Sequence, residues 1–352
     1  MRRYVMATAV SQRTEAEKKV RKRILTGDRP TGPLHLGHYV GTLANRVRLQ
    51  DQYETFILVA DYHMLTTRLD ELGEIEENIR EDVLGNLAMG IDPAKTTIYL
   101  QSLIPEVTEL FLYFAMLVTV PRAQRIPTLK EKMRELDIAQ PSYGLLGYPI
   151  LQAADILMVR GDLVPVGKDQ QSHIELTREI ARTFNETFAP VFPVPDGLIP
   201  EIGVLPGIDG QAKMSRSVGN TINLFDPPKT VEEKVMRMYT DPTRVHPTDP
   251  GHVEGNPVFT YHDFFNPNTA EVAELKERYR KGTVGDVDVK KRLARAINAF
   301  LDPVREKRAS LLRENPRIVE DVLRAGSERA REEARRTLHE ARAAMKLDYF
   351  GE

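Results

Sequence analysis

Two short clusters in this sequence hold residue types suited to phosphate chemistry. The first is Pro33-Leu34-His35-Leu36-Gly37-His38. It follows a short apolar stretch, Ile24-Leu25-Thr26, and a dense turn signal, Asp28-Arg29-Pro30-Thr31-Gly32-Pro33, and it opens a helical stretch. Backbone N–H groups at a helix start favour an anion. His35 and His38 lie one turn or less apart and can both donate to phosphate oxygens. Gly37 has no side chain, so a flat ring could approach the backbone there. Ordinary helix-start chemistry fits the same residues. The second cluster is Lys213-Met214-Ser215-Arg216-Ser217. Two cations and two hydroxyls in five residues suit a leaving polyphosphate. Glycines 203, 207 and 210 upstream suggest a mobile loop. A solvated basic loop is the plainer reading of this cluster alone.

The elements around these clusters alternate. A strand at 24–26, a helix from Leu36 to about Gln50, a strand at 55–60 and a helix at 72–89 are expected from apolar runs and breakers. A strand at 96–101 and a helix at 106–118 follow, then a helix at 144–159, a strand at 162–166 and a helix at 169–184. The apolar run Thr55–Ala60 suits a strand buried on both faces. The predicted fold is α/β: a doubly wound parallel sheet of Rossmann type, with a smaller all-α C-terminal domain. Strand signals vanish beyond about Pro227, and segments 231–239, 270–281, 287–313 and 316–346 read as charged helices. The expected organisation is an extension at 1–23, a catalytic domain at 24–218 ending in the second cluster, and a helical domain at 219–352. The extension is basic between Gln12 and Arg23 and reads as a solvated helix or loose arm, either inert or docking a partner or RNA.

Composition narrows the chemistry. The chain has 352 residues, a formal net charge of −2 and no cysteine. Disulfides, thiolate metal sites and cysteine nucleophiles are excluded. No apolar run reaches the roughly 18 residues a membrane span needs, and no signal-peptide core is present, so a cytoplasmic protein without membrane attachment is expected. Nucleic acid would have to be met by local basic patches, not by a global field. Neither GxxxxGKS/T nor GxGxxG occurs, which leaves P-loop and dinucleotide readings without their motif.

Together the two clusters resemble the HIGH and KMSKS signatures of class I aminoacyl-tRNA synthetases. Two further segments make the resemblance specific. Tyr148-Pro149-Ile150-Leu151-Gln152-Ala153-Ala154-Asp155-Ile156-Leu157 is similar to the substrate helix of tryptophanyl-tRNA synthetases, and Val164-Pro165-Val166-Gly167-Lys168-Asp169-Gln170 to their VPVGxDQ signature. The resemblance runs from about Ile24 to the C-terminus. It implies activation of L-tryptophan by ATP to tryptophanyl-adenylate and pyrophosphate, then transfer to tRNA(Trp). Mg2+ is implied on the ATP phosphates, and no metal site on the protein.

Residue by residue, the resemblance implies that ATP meets Arg29, Pro30, Thr31, His35, Gly37, His38, Gly167, Lys168, Asp169, Leu205 and the Lys213–Ser217 loop with Met214. Asp169 is also a good N-cap for the following helix. Lys213, Ser215, Arg216 and Ser217 would act on the pyrophosphate, with Lys132 reaching a phosphate. Tryptophan would meet Tyr148, Gln152, Asp155, Gln170, His63, Val164 and Val166. Asp155 sits among apolar neighbours, where a carboxylate is costly without a donor. The indole N–H is such a donor, and phenylalanine would leave the acid unpaired. A structural ion pair is the plainer alternative. His173 and Glu175 read as packing and ion-pair residues. Arg29 stands where many relatives carry glutamine, His38 where many carry asparagine, and Gln152 where many carry methionine. The last exchange implies tolerance of polar-substituted indoles.

The helical part is expected to read the anticodon within a homodimer, with Arg237, Arg244, Lys290 and Arg292 available for phosphate contacts. Other readings stay open: a tyrosyl-type enzyme, another HIGH-type nucleotidyltransferase, or a non-catalytic paralogue that binds a protein partner through its N-terminal extension.

Overall fold

A computed structural model describes residues 21–69, 72–135, 137–167, 170–198, 205–210, 213–246 and 248–349, apart from the side chains of Glu135 and Ser217. The extension as far as residue 20, Gly203, Lys168 and Asp169 lie outside the described residues.

Five parallel strands form one sheet: β1 (Arg23–Asp28), β2 (Glu54–Val59), β3 (Thr96–Leu100), β4 (Leu163–Pro165) and β5 (Asp196–Leu198). Their order is β3-β2-β1-β4-β5. The order reverses between β1 and β4, and ligands of open α/β sheets bind outside the carboxyl ends of the strands at such a point. Alternation of strands and helices made this sheet legible. β5 was not foreseen, because its three residues, Asp-Gly-Leu, carry no strand-forming run.

The expected helix from Leu36 to Gln50 is continuous but not uniform. Helix α1 (Leu36–His38) passes through a π turn (Tyr39–Leu43) into α2 (Ala44–Leu49). Thr42 Oγ1 donates to the His38 carbonyl at 3.0 Å within the turn, a local bond that competes with the regular ladder. Helix α3 (Asp61–Leu65) follows β2, and α4 (Ile75–Ala88) lies between β2 and β3. After β3 come α5 (Glu106–Ala115), the unforeseen short helices α6 (Val120–Gln124) and α7 (Pro127–Glu135), and the apolar α8 (Tyr143–Met158). Helix α9 (Gln171–Thr187) links β4 to β5. Its N-cap position is held by Gln170, with no side-chain cap bond. The cap expected of Asp169 lies outside the described residues.

Only helices follow among the described residues: α10 (Pro228–Met236), α11 (Pro257–Phe265), α12 (Thr269–Arg280), α13 (Asp286–Glu314) and α14 (Ile318–Ala344). Their sequence character changes near 218, but contacts run across that point. Leu36 N donates to Ile222 O and Leu224 N to Leu34 O, both at 2.9 Å. Leu34, Leu36, Val40 and Leu43 share a core with Met214, Ile222, Leu224 and residues of α10, α11 and α13. Helix α14 returns to the sheet and covers the open edge at β3. Gly326 lies so close that a Cβ there would fall 1.8 Å from the Ile98 carbonyl oxygen. Ser327 Oγ accepts from Leu100 N at 3.2 Å. The helix thereby satisfies part of an edge that would otherwise be left unpaired.

Candidate active site

The carboxyl ends of β1 to β4 bring the expected residues together in two groups. At the first, β1 runs out at Asp28 into the 29–34 turn. Asp28 is not free for a ligand. Its carboxylate pairs with Arg46, which is fully buried on α2. Arg46 also donates to Thr26 Oγ1 at 3.2 and 3.1 Å and to Asn86 Oδ1 at 3.3 Å. This pair anchors the turn from beneath. Beyond it His35 adopts an extended backbone and is buried, and its ring lies 3.8 Å from that of His38. His38 Nδ1 accepts the His35 backbone N–H at 3.1 Å, so Nε2 of a neutral His38 carries the proton. Burial, with the neighbouring His38 and Lys213 charges, holds the His35 imidazole down to about 3, and burial lowers His38 also. Both rings offer N–H donors rather than charges.

The Lys213–Ser217 loop docks on this turn. Gly37 N donates to Met214 Sδ at 3.3 Å, across 177 positions of sequence. The space beside Gly37, expected to admit a ring, is taken here: a Cβ would stand 2.9 Å from His35 Nδ1 and 3.2 Å from Met214 Cβ. Met214 N in turn donates to the carbonyl of buried Leu205 at 3.3 Å. Ser215 N donates to Asn220 Oδ1 at 2.7 Å, and Asn220 Nδ2 to both Asp209 oxygens at 3.2 and 3.1 Å. Lys213 is exposed, and its charge reaches His35. Arg216 lies over Gly32, donates to the Thr31 carbonyl and pairs with Glu74 at 3.0 Å. Pro30 is buried and Arg29 exposed beside it.

The second group lies deeper. Asp155 on α8 is 1% exposed, and its carboxylate has two partners. His63, on α3 after β2, meets Oδ2 through Nε2 at 2.9 Å. Gln101, at the end of β3, donates from Nε2 to Oδ1 and Oδ2 at 2.9 and 2.8 Å. Burial raises the Asp155 pKa, and the bonds from His63 and Gln101 work against that rise.

Beside it Tyr148 and Gln152 join a network around His173. His173 Nδ1 donates to Gln152 Oε1 at 2.6 Å, which leaves Nε2 to accept from the Thr128 and Tyr148 hydroxyls. His173 packs edge-on against the Tyr148 ring, as expected, and is in addition a buried polar hub on which three side chains converge. Glu175 does sit near Arg178, at 3.9 Å. Lys132 stands 5.2 Å over the Tyr148 ring, on the side of the amino-acid group. Gln170 opens α9, and its N–H donates to the exposed Gly167 carbonyl at 3.0 Å. Val164 and Val166 are buried and pack into the main core.

Comparison with known proteins decides the family. The model for class I tRNA synthetases (W and Y) matches residues 17–302. The chain belongs to the class I tRNA synthetases for tryptophan and tyrosine. It is 56% identical over 327 residues to the tryptophan–tRNA ligase of Treponema pallidum, covering 92% of this chain and 97% of the relative. It is 51% identical to that of Chlamydia caviae, over 93% and 96%. Among solved structures it resembles Campylobacter jejuni tryptophanyl-tRNA synthetase complexed with ADP and tryptophan (TM-score 0.82, 34% identity, 92% of this chain and 100% of that one). A tyrosyl-tRNA synthetase from Archaeoglobus fulgidus matches at TM-score 0.63 and 26% identity, over 83% and 92%. For this synthetase family the His35–His38 and Lys213–Ser217 clusters were the legible part. Gln101, Thr128 and Arg46 were missed, since none stands in a recognisable motif.

The cationic positions expected for RNA contact are largely engaged in the fold. Lys290 is buried and donates to Met238 O at 2.6 Å and Thr240 Oγ1 at 2.7 Å, closing the end of α10. Arg244 is buried, pairs with Asp286 at 3.1 Å and stacks 4.1 Å from the Tyr279 ring. Arg292 pairs with Glu271 at 2.7 Å and Asp288 at 3.2 Å. Partners within the helical part draw Lys290 and Arg244 inward, while Arg292 stays half-buried at the surface. Arg237 alone of the four is exposed.

Proposed function

We propose that this chain activates L-tryptophan with ATP and then charges tRNA(Trp). The observation that carries the reading is Asp155, a buried carboxylate beside the strand ends. Two of its three observed bonds fall on Oδ2, so Oδ1 keeps room for another donor. The indole N–H fits that position, and a side chain without it leaves the acid short of a donor. Tyr148, Gln152 and Gln170 would surround the rest of the amino acid, with Val164 and Val166 beneath.

ATP would lie along the 29–38 turn, with neutral His35 and His38 as donors to phosphate. Gly167, Lys168 and Asp169 would meet its nucleoside end. Magnesium would enter as part of the nucleotide, on phosphate oxygens; no group of three or more ligating side chains suited to a metal occurs among the described residues. A tryptophan carboxylate oxygen forms a bond to the α-phosphorus while the bond from that phosphorus to the bridging oxygen breaks, and pyrophosphate leaves with the electron pair. Lys213 and Arg216, with Ser215 and Ser217, would offset that charge, and Lys132 would assist on a phosphate. A ribose hydroxyl of the tRNA then attacks the adenylate carbonyl, AMP leaves, and the hydroxyl proton passes to the released phosphate or to water.

The helical part, 219–352, would read the anticodon. Exposed Leu103, Leu112, Met116 and Val120 on and beside α5 favour a second copy of this chain as their cover. The basic extension would serve a further partner. No described helix is long and apolar enough to cross a membrane, and tRNA charging belongs in the cytoplasm. Amino-acid-dependent ATP–pyrophosphate exchange tests the reading. Exchange with tryptophan and not tyrosine is the expected result; exchange with tyrosine, or with neither, overturns it.

A further inference from the structure

We propose that Gln101 is the positioning residue for tryptophan selection: it holds the Asp155 carboxylate in the plane that presents Oδ1 to the indole N–H. The inference deepens the tryptophan-activation reading and rests on it. A carboxylate turns easily about its last torsion, because sp3–sp2 rotations have broad minima. His63 bonds one oxygen only, which leaves that rotation open. Gln101 faces both oxygens from one nitrogen, at 2.9 and 2.8 Å, and so fixes the plane.

The amide itself is oriented. Its Oε1 accepts the His63 backbone N–H at 3.4 Å, which assigns Nε2 to the carboxylate. A flipped amide would set oxygen against oxygen. The backbone beneath is fixed as well. Leu100 N bonds Ser327 on α14, and Ile104 N bonds the Gln101 carbonyl at 3.0 Å. Gln101 is 1% exposed, so no water competes for its donor. The sheet edge, the covering helix and the α3 backbone therefore converge on one amide, whose outward task is the orientation of Asp155.

The test is exchange kinetics with tryptophan and with β-(3-benzothienyl)alanine, in which sulfur replaces the N–H at nearly unchanged shape. Wild type is expected to prefer tryptophan. In Gln101→Leu the KM for tryptophan should rise about 10- to 100-fold, the loss that goes with a misplaced hydrogen bond to a buried charge, while kcat and the isostere's KM stay within about threefold. Gln101→Glu keeps the shape and so guards against a folding defect. It should weaken tryptophan use at pH 8 and recover as pH falls toward 6, because two facing carboxylates come to share a proton. An equal rise of both KM values in Gln101→Leu, or a pH-independent Gln101→Glu, overturns the role of Gln101 alone. Absence of discrimination in the wild type overturns the Asp155 reading together with it.

Discussion

The two ends of the candidate site are built differently. At the amino-acid end two adjacent hydrogen-bonded sets lie beneath the strand ends: Asp155 with His63 and Gln101, and His173 with Tyr148, Gln152 and Thr128. At the nucleotide end, the cations are exposed and borne on a loop, and Arg216 is occupied by Glu74 and the Thr31 carbonyl. A buried, bonded network loses little freedom when a ligand enters, and so can discriminate finely. A loop of exposed cations suits charge that exists only in passing, since it can follow the phosphates as they separate. On the proposed function, selection would reside in the buried, bonded half and rate in the loop of exposed cations.

That contrast can be broken at several points. Asp155→Ala should have the largest effect, lowering kcat/KM for tryptophan by about 100-fold or more, with most of the loss in KM. Retention of tryptophan affinity in this variant would remove the buried half's claim to selection. Lys213→Ala should lower kcat about 100-fold in the exchange assay and leave tryptophan binding within about twofold. An altered tryptophan KM would mean that the two halves are not separable.

Acid stability sharpens the comparison from the nucleotide side. The folded protein holds His35 down to about 3, below the ordinary histidine value. Unfolded chains therefore take up a proton there that the fold refuses. The His35 contribution is fully present above about pH 6.5 and is lost as pH falls toward 3. The unfolding free energy, read from denaturant melts, should fall between pH 7 and 5 by on the order of 1–2 kcal/mol more in wild type than in His35→Gln. Equal slopes would contradict the buried neutral imidazole.

Smaller effects come last. Gln152 uses its carbonyl on His173, which leaves its NH2 group for a polar substituent on the indole. Gln152→Met should lower kcat/KM for nitro- or hydroxytryptophan relative to tryptophan by about three- to tenfold. An unchanged ratio removes that specificity claim.

Legibility in the sequence followed how far each interaction reaches. The two phosphate clusters and the substrate helix lie in contiguous stretches with residue types rare enough to stand out. Gln101 does not: its partner Asp155 is 54 positions away, and a glutamine at a strand end has no signature of its own. The same holds for buried Arg46, whose partners Thr26 and Asp28 lie 20 and 18 positions away. Lys290 and Arg244 show the converse, since both are buried, whereas Arg292 remains half-buried with acidic partners. Their charge suggested RNA, while carbonyl and carboxylate groups brought near by the fold had already claimed them. Helix α14 was legible as a helix, but nothing local announced that Gly326 would let it press on β3.

The central claim is that tryptophan selection is complete before the Lys213–Ser217 loop acts. Calorimetric titration of nucleotide-free protein with tryptophan and with tyrosine addresses it most directly, in wild type and in the double variant Lys213→Ala, Arg216→Ala. Tryptophan should bind both proteins with Kd values within about twofold, and tyrosine neither, at the same concentrations. Tryptophan binding that needs ATP, or that is lost with the loop cations, would contradict a pre-built amino-acid end.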